Sequence, residues 1–542
     1  MPGTGIHATE VVLLLLLLFV VAFAAMAQRL KTPYPIVLVI AGLLLGFVPG
    51  IPKVTLDPEL VFLVVLPPLL YSAAWNTSWR SFADNLVSIA SLAVGLVAFT
   101  VFGVAAGASW FSSGVDWRIG LVLGAVVATT DAVAATSIAK RIGLPKRISD
   151  VLEGESLVND ATGLLALEFA TAMVVYGQTP TVHSGILRLG YLSAAGVAMG
   201  LIIGRIIEWF EYRVDDGPIE IAISIFVPYT TYLAAEAIHA SGVLAVVASG
   251  LYLSRRSSQF FSPSVRLQAN AVWNSLTFIL NGLVFVLIGL QLPYVLAGIK
   301  ESSLPRLLLY GGLFSAFLIL LRLLWTFPSS YLSYFLRTRI FHQTITRPGT
   351  RQLFVVGWTG MRGVIALAAA ISLPAALANG SPFPHRSLIV FLTFSVILVT
   401  LVLQGLTLPL LIRALGLAGA SKPHSDEREA RRLVLEAALR YLEKCRRDDL
   451  PDSDGLYADL EKQYRHRLAN ANAEDDEQNQ ARREHYSRYL ELSRELVRIE
   501  RETTLTLAAE GRIDDEIARE LEQEFDLSEI RLDAAIDHQI NK

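Results

Sequence analysis

Five ionisable residues lie inside long apolar stretches of the sequence, where charged side chains are rare. They are Asp131, Glu155, Asp160, Arg322 and Arg362. Each costs roughly 2.5–3.5 kcal/mol at mid-bilayer on insertion scales, so five unpaired charges would cost as much as the stability of a whole domain. These side chains must therefore pair or line a wet cavity, and acids inside a membrane usually mark ion or proton paths.

The spacing of polar residues between positions 153 and 160 predicts two polar stripes on one helix. Glu155 and Asn159 are four residues apart, as are Ser156 and Asp160, so each pair stacks on one face and the faces are about 100° apart. Ser156 and Asp160 offer the oxygens that a hard alkali cation accepts in place of water. The other stripe is then free for a hydrogen-bonded partner, and an arginine is the natural counter-ion.

Two further segments predict interrupted helices near the membrane midplane. Thr129, Thr130 and Asp131 are poor helix formers, and an unwound stretch there would free carbonyls and expose opposed half-helix dipoles. Residues 357–363 contain three glycines, a pattern that also fits close helix packing. Asp131 on the fifth helix and Arg362 on the twelfth are equivalent positions if helices 1–6 and 8–13 are inverted repeats, which favours broken helices.

The charge distribution divides the 542 residues into two parts. Residues 1–420 hold 18 acidic and 25 basic residues, whereas the remaining 122 hold 31 and 21. So little charge, with apolar stretches long enough to cross about 30 Å of hydrocarbon, predicts a polytopic all-α membrane domain over residues 1–420. The high charge of residues 421–542 predicts a helical cytoplasmic domain that either regulates the first part or is a solvated tail.

The number and flanks of the apolar stretches predict the topology. Thirteen stretches, an odd number of crossings, put the two termini on opposite sides of the membrane, with the N-terminus outside and the C-terminus in the cytoplasm. Loops assigned to the inside hold seventeen Lys and Arg residues and those assigned to the outside hold six, as the positive-inside rule requires. We therefore expect a multi-pass protein of the cell (inner) membrane.

Several classes of protein are excluded by missing residues. The single Cys445 cannot form an intrachain disulfide, and no Cys/His cluster has metal-ligand spacing. The sequence lacks Gly-x-Ser-x-Gly, His-Glu-x-x-His and Walker-type motifs. We expect neither an enzyme nor a cofactor, and no nucleic-acid partner.

Three motifs together resemble the sodium/proton exchanger family, most closely its prokaryotic NhaP-like members, over roughly residues 10–415. They are Thr130-Asp131, Glu155-Ser156-Leu157-Val158-Asn159-Asp160 and Gly360-Met361-Arg362-Gly363. The resemblance implies thirteen helices in a dimerisation domain and a core domain. It also implies that the core has two crossed, interrupted helices and moves like an elevator, and that the protein is a homodimer.

The resemblance also implies an ion site. By position, Asp160 would be the carboxylate that binds the ion and the proton. Ser156, Asp131 and the backbone near Thr130 would help to form the cation site.

Four supporting residues follow from the same comparison. Asn159 stands where electrogenic relatives have a second aspartate, which implies electroneutral exchange of one proton per alkali cation. Glu155 would pair with the arginine of the eleventh helix, here Arg322. Arg362 would belong to the second interrupted helix.

The sequence departs from the family at two places. Ala132 follows the threonine–aspartate pair where relatives often have proline, so proline cannot cause that break. Ser72 and Ala73 follow Pro67-Pro68-Leu69-Leu70-Tyr71 where many relatives have a glutamate. With one acidic ligand missing, the preference among Na⁺, K⁺ and Li⁺ stays open.

These observations predict a secondary antiporter that exchanges protons for Na⁺, or for Li⁺ or K⁺, and serves pH homeostasis. A cation channel would use the same acidic residues but without coupling to protons. A symporter of an organic anion shares the crossed-helix fold, yet it should not place two carboxylates at its substrate.

Overall fold

The computed structural model is all-helical over the residues that it describes, as the sequence predicts. These are residues 5–48, 56–111, 116–177, 181–297, 304–340, 342–343, 347, 349–418, 425–448, 455–471, 477–510, 512 and 515–540. The chain separates into two compact units, Met1–Ala420 and Ser421–Lys542.

The helices of the first unit are mostly apolar on all sides, which is typical of segments that satisfy their backbone hydrogen bonds internally in lipid. In chain order they are Gly5–Arg29, Tyr34–Gly46, Pro58–Leu60 with the π-helical turn Val61–Val65 and Leu66–Asn76, Trp79–Asp84, Leu86–Ala90 with the π-helical turn Ser91–Leu96 and Val97–Phe111, Trp117–Ala128, Ala132–Ile142, Lys146–Tyr176, Val182–Glu211, Gly217–Ala237, Gly242–Phe260, Pro263–Leu290, Leu292–Ala297, Leu304–Arg339, Thr350–Trp358, Val364–Ile371, and Arg386–Val399 with the π-helical turn Thr400–Gln404 and Gly405–Ala414.

Among the described residues, nine helical segments are long and apolar enough to cross a membrane. One of them, Trp117–Ala139, crosses only if the two halves of a broken helix are joined. The structure therefore agrees with a polytopic membrane protein, and the count of thirteen crossings stays a prediction.

Both predicted helix interruptions are present. The first interrupted helix comprises Trp117–Ala128 and Ala132–Ile142, and the second comprises Thr350–Trp358 and Val364–Ile371. Gly357 still lies within a helix, packed so closely on Leu323 that a Cβ would come within 2.8 Å of Leu323 Cδ2. The packing interpretation thus holds for Gly357, and the interruption begins after Trp358.

The second unit consists of four polar helices over its described residues. They are Ser425–Asp448, Leu456–Ala471, Glu477–Ala509 and Asp515–Ile540. Ion pairs such as Arg501 with Asp526, at 2.6 Å, join the last two. Because these side chains are largely exposed, each pair contributes little to stability.

Candidate functional site

The first interrupted helix opens at the threonine pair. Thr129 has an extended backbone (φ −68°, ψ 140°), and so does Asp131 (φ −100°, ψ 118°). Oδ1 of Asp131 accepts the N–H of Val133 at 2.8 Å, so the aspartate caps the second half-helix and complements its positive dipole end. One of its two oxygens remains for another partner.

A serine from the neighbouring helix keeps this break open. Ser156, on Lys146–Tyr176, donates its hydroxyl to the carbonyl of Thr130 at 3.0 Å and accepts the N–H of Ala132 at 3.3 Å. These two bonds replace those that a continuous helix would make across the break. The interruption therefore needs no proline at position 132.

The two interrupted helices meet at their breaks. The N–H of Asp131 donates to the carbonyl of Met361 at 2.8 Å. Gly363 lies so close that an added Cβ would approach Asp131 Oδ2 to 2.5 Å. Positions 131 and 361, far apart in sequence, thus form one contact at the crossing point.

Arg362 neutralises the carbonyl ends of both broken helices. Its guanidinium donates to Val127 at 3.1 Å and also to the carbonyl of Gly360. Its backbone N–H donates to Oγ1 of Thr400 at 3.2 Å. A cation at these helix C-termini opposes the negative dipole ends, so Arg362 stabilises the crossing and is not free to bind an anion.

Glu155 and Arg322 form a buried, bidentate ion pair. Nη1 and Nη2 of Arg322 donate to the two carboxylate oxygens at 2.5 and 2.8 Å, and the two side chains are 2% and 1% exposed. Arg322 also donates to the carbonyl of Val356, at the end of the first half of the second interrupted helix. The pairing implied by the resemblance is therefore present, and it ties three elements together.

Asn159 and Thr130 extend this network. Asn159 Nδ2 donates to Oγ1 of Thr130 at 2.6 Å, and that hydroxyl donates to Glu155 Oε1 at 3.1 Å. Within the described structure, the buried Oδ1 of Asn159 has no hydrogen-bond partner. Glu155 and Asn159 thus brace the break on one side of their helix.

Asp160 lies on the other side of that helix, one turn after Ser156, and is 3% exposed. It is close enough to Asp131 for the two carboxylates to interact electrostatically. In the part of the chain that the structure describes, neither takes part in an ion pair. Two carboxylates without a basic partner thus lie near a serine hydroxyl and the carbonyl of Thr130, a set of oxygens that suits a hard cation.

Sequence reasoning missed three polar residues near the crossing. Thr400 accepts the N–H of Arg362, and Tyr34 interacts electrostatically with Asp131. Gln404 is fully buried, and neither polar atom of its side chain has a partner among the described residues. A polar residue in the apolar run 386–414 was the available signal for Thr400 and Gln404.

The close approach at Gly363 gives a first prediction. Gly363→Ala should lower the exchange rate at least about tenfold, because the new methyl group would displace the Asp131 carboxylate, and should destabilise the fold by about 1–3 kcal/mol through overpacking. The matched control is Gly312→Ala, where no atom lies within 4 Å of the added Cβ. Equal activity of the two variants in proteoliposomes would show that the crossing does not position Asp131.

Comparison with known proteins places this geometry in a family. The family described as "Sodium/hydrogen exchanger, transmembrane" matches residues 14–414. An uncharacterized Na⁺/H⁺ exchanger of Mycobacterium tuberculosis is 34% identical over 532 residues, which cover 96% of each chain. A Bacillus pumilus protein named sodium, potassium, lithium and rubidium/H⁺ antiporter is 32% identical over 504 residues, covering 91% of this chain and 73% of that protein.

A solved structure has the same fold. The sodium proton antiporter MjNhaP1 from Methanocaldococcus jannaschii superimposes with a TM-score of 0.57 at 19% identity, covering 76% of this chain and 98% of that chain. The family match spans both interrupted helices and the helix that carries Asp160. The chain therefore belongs to the sodium/hydrogen exchanger family of multi-pass membrane transporters.

Proposed function

We propose that this protein exchanges protons for Na⁺ or another alkali cation, with Asp160 as the group for which the two compete. One observation carries the proposal: among the described residues, the other three charges at the crossing have internal partners. Glu155 and Arg322 neutralise each other, and Arg362 caps helix ends. The carboxylates of Asp160 and Asp131 therefore remain available to bind ions.

Exchange follows from the cost of an uncompensated charge inside the membrane. The Asp160 carboxylate can hold a proton or a cation, and in either state its charge is neutralised. The bare anion would have to move through a low-dielectric layer without a partner, which is strongly disfavoured. Each passage across the membrane therefore carries one ion or the other, and the gradient of one drives the other.

Ser156, Thr130 and Asp131 complete the cation site in this proposal. Ser156 Oγ and the carbonyl of Thr130 are already held 3.0 Å apart at the break, so they need little reorganisation to replace water. The relative named for sodium, potassium, lithium and rubidium supports a choice of cation wider than Na⁺ alone. The missing acidic ligand after Tyr71 points the same way.

We also propose electroneutral exchange, one proton per cation. Asn159 cannot titrate, and its amide is used in holding Thr130, so the pair Asn159/Asp160 supplies a single proton-binding group. The membrane unit, residues 1–420, would lie in the cell membrane with its N-terminus outside, as a homodimer. Residues 421–542 would form a cytoplasmic domain.

Proteoliposomes with an imposed proton gradient test the proposal. Addition of Na⁺, Li⁺ or K⁺ should dissipate the gradient, because each cation that crosses exchanges for a proton. Clamping the voltage with an ionophore should leave the rate unchanged, because an electroneutral cycle moves no net charge. Cation flux that leaves the proton gradient intact would identify a channel instead.

A further inference from the structure

A cavity of about 100 Å³, lined by none of the residues of the proposed ion site, lies among helix ends on the face that the basic loops predict to be cytoplasmic. It has room for several water-sized groups. Three of its lining residues are arginines, and none of the described lining residues is acidic. The arginines are Arg147, Arg337 and Arg347.

Arg337 is the buried member of this group, with 4% of its surface exposed. Its guanidinium donates to neutral acceptors, Gln343 Oε1 at 2.8 Å and Asn85 Oδ1 at 3.4 Å. Asp84 interacts with it at longer range but is exposed, and no ion pair joins the two among the described residues. A buried cation with only neutral hydrogen-bond partners is costly, so the cavity favours an incoming anion.

The other two arginines are held where they add to this positive charge. Arg147 is exposed, yet it lies close enough to Arg337 for their like charges to interact. The guanidinium of Arg347 sits over the ring of Tyr331, 5.3 Å from its centroid. Like charges that no described acid joins in an ion pair are typical of a site for an anionic ligand.

Hydroxyl groups supply further donors. Ser88, Ser333 and Tyr334 line the cavity, and the hydroxyls of Ser88 and Ser333 are 2.9 Å apart, so one of the two donates to the other and the second keeps its proton for a ligand. Arginine forks combined with hydroxyl donors match the several oxygens of a phosphate group. We propose that this cavity binds a phosphate group, either the headgroup phosphate of an anionic phospholipid from the adjoining leaflet or a free phosphate ion.

The test compares full-length purified variants. Arg147→Gln combined with Arg347→Gln removes two exposed charges and leaves the buried contacts of Arg337 in place, so the fold should persist. The matched control is Arg339→Gln, an exposed arginine two residues from Arg337 that does not line the cavity. Inorganic phosphate, as its choline salt, is titrated while thermal stability is followed. Phosphatidylglycerol and phosphatidylcholine binding are counted by native mass spectrometry.

We expect the double variant to bind at least about tenfold more weakly than the unmodified protein, and the Arg339→Gln variant to bind equally well. Selective retention of phosphatidylglycerol would assign the site to a lipid headgroup, and a response to phosphate alone would assign it to the free ion. Failure of the unmodified protein to bind either probe would overturn the proposal. So would an equal loss of affinity in the control variant.

Discussion

The Asp160→Asn variant is expected to lose exchange by at least about a hundredfold, which corresponds to about 2.7 kcal/mol of lost interaction with the ion. Asparagine keeps the size of the side chain but cannot release a proton or neutralise a cation. Asp131 remains in the variant, but its Oδ1 already accepts the N–H of Val133 and caps a helix. The readout is the initial rate of cation-driven proton flux in proteoliposomes.

The variant should remain folded, because the substitution removes a buried charge that has no basic partner among the described residues. Glu168→Gln is the matched control, since it makes the same chemical change on the same helix at an exposed position. It should exchange at the normal rate. A fully active Asp160→Asn protein would end the proposal that Asp160 carries the ions.

The second large effect is on stability. Glu155→Gln should destabilise the protein by about 3–5 kcal/mol, because Arg322 would be left as an uncompensated buried charge. The two short bonds between the side chains and the 1% exposure of Arg322 place this pair out of reach of solvent screening. Thermal unfolding in detergent measures the loss.

Two comparisons separate a charge effect from a general loss of packing. Glu168→Gln breaks an exposed contact, in which Glu168 Oε1 lies 3.6 Å from Arg188, and should cost less than about 1 kcal/mol. Glu155→Gln combined with Arg322→Gln should be more stable than Glu155→Gln alone, because neither charge is then unpaired. Unaltered stability of the single variant would contradict a structural role for the pair.

Local patterns predicted the interrupted helices and the two-sided helix because both depend on near neighbours in sequence. The four-residue spacing of Glu155 with Asn159 and of Ser156 with Asp160 fixes their faces on any α-helix. The threonine pair and the glycine-rich segment have a low intrinsic helix propensity, which is a local property of the sequence. These features needed no knowledge of the tertiary structure.

The contacts between distant segments could not be predicted in this way. The bond from Asp131 to Met361 depends on the relative register of two helices, and the capping role of Arg362 depends on where the end of the other broken helix lies. Thr400 and Gln404 stand out in the sequence as polar residues of an apolar helix, but the contact of Thr400 with Arg362 depends on how that helix packs against the crossing. The arginine cavity likewise combines residues from positions 85 to 356.

The most direct test of the central claim is proton release on cation binding by the purified protein. The protein is held in weakly buffered detergent solution at a pH at which Asp160 is protonated. Na⁺, Li⁺ or K⁺ is then added, and the released protons are counted with a pH dye. Competition at one carboxylate predicts up to about one proton released per cation bound, and none from the Asp160→Asn variant. Cation binding without proton release, or equal release from that variant, would contradict the account.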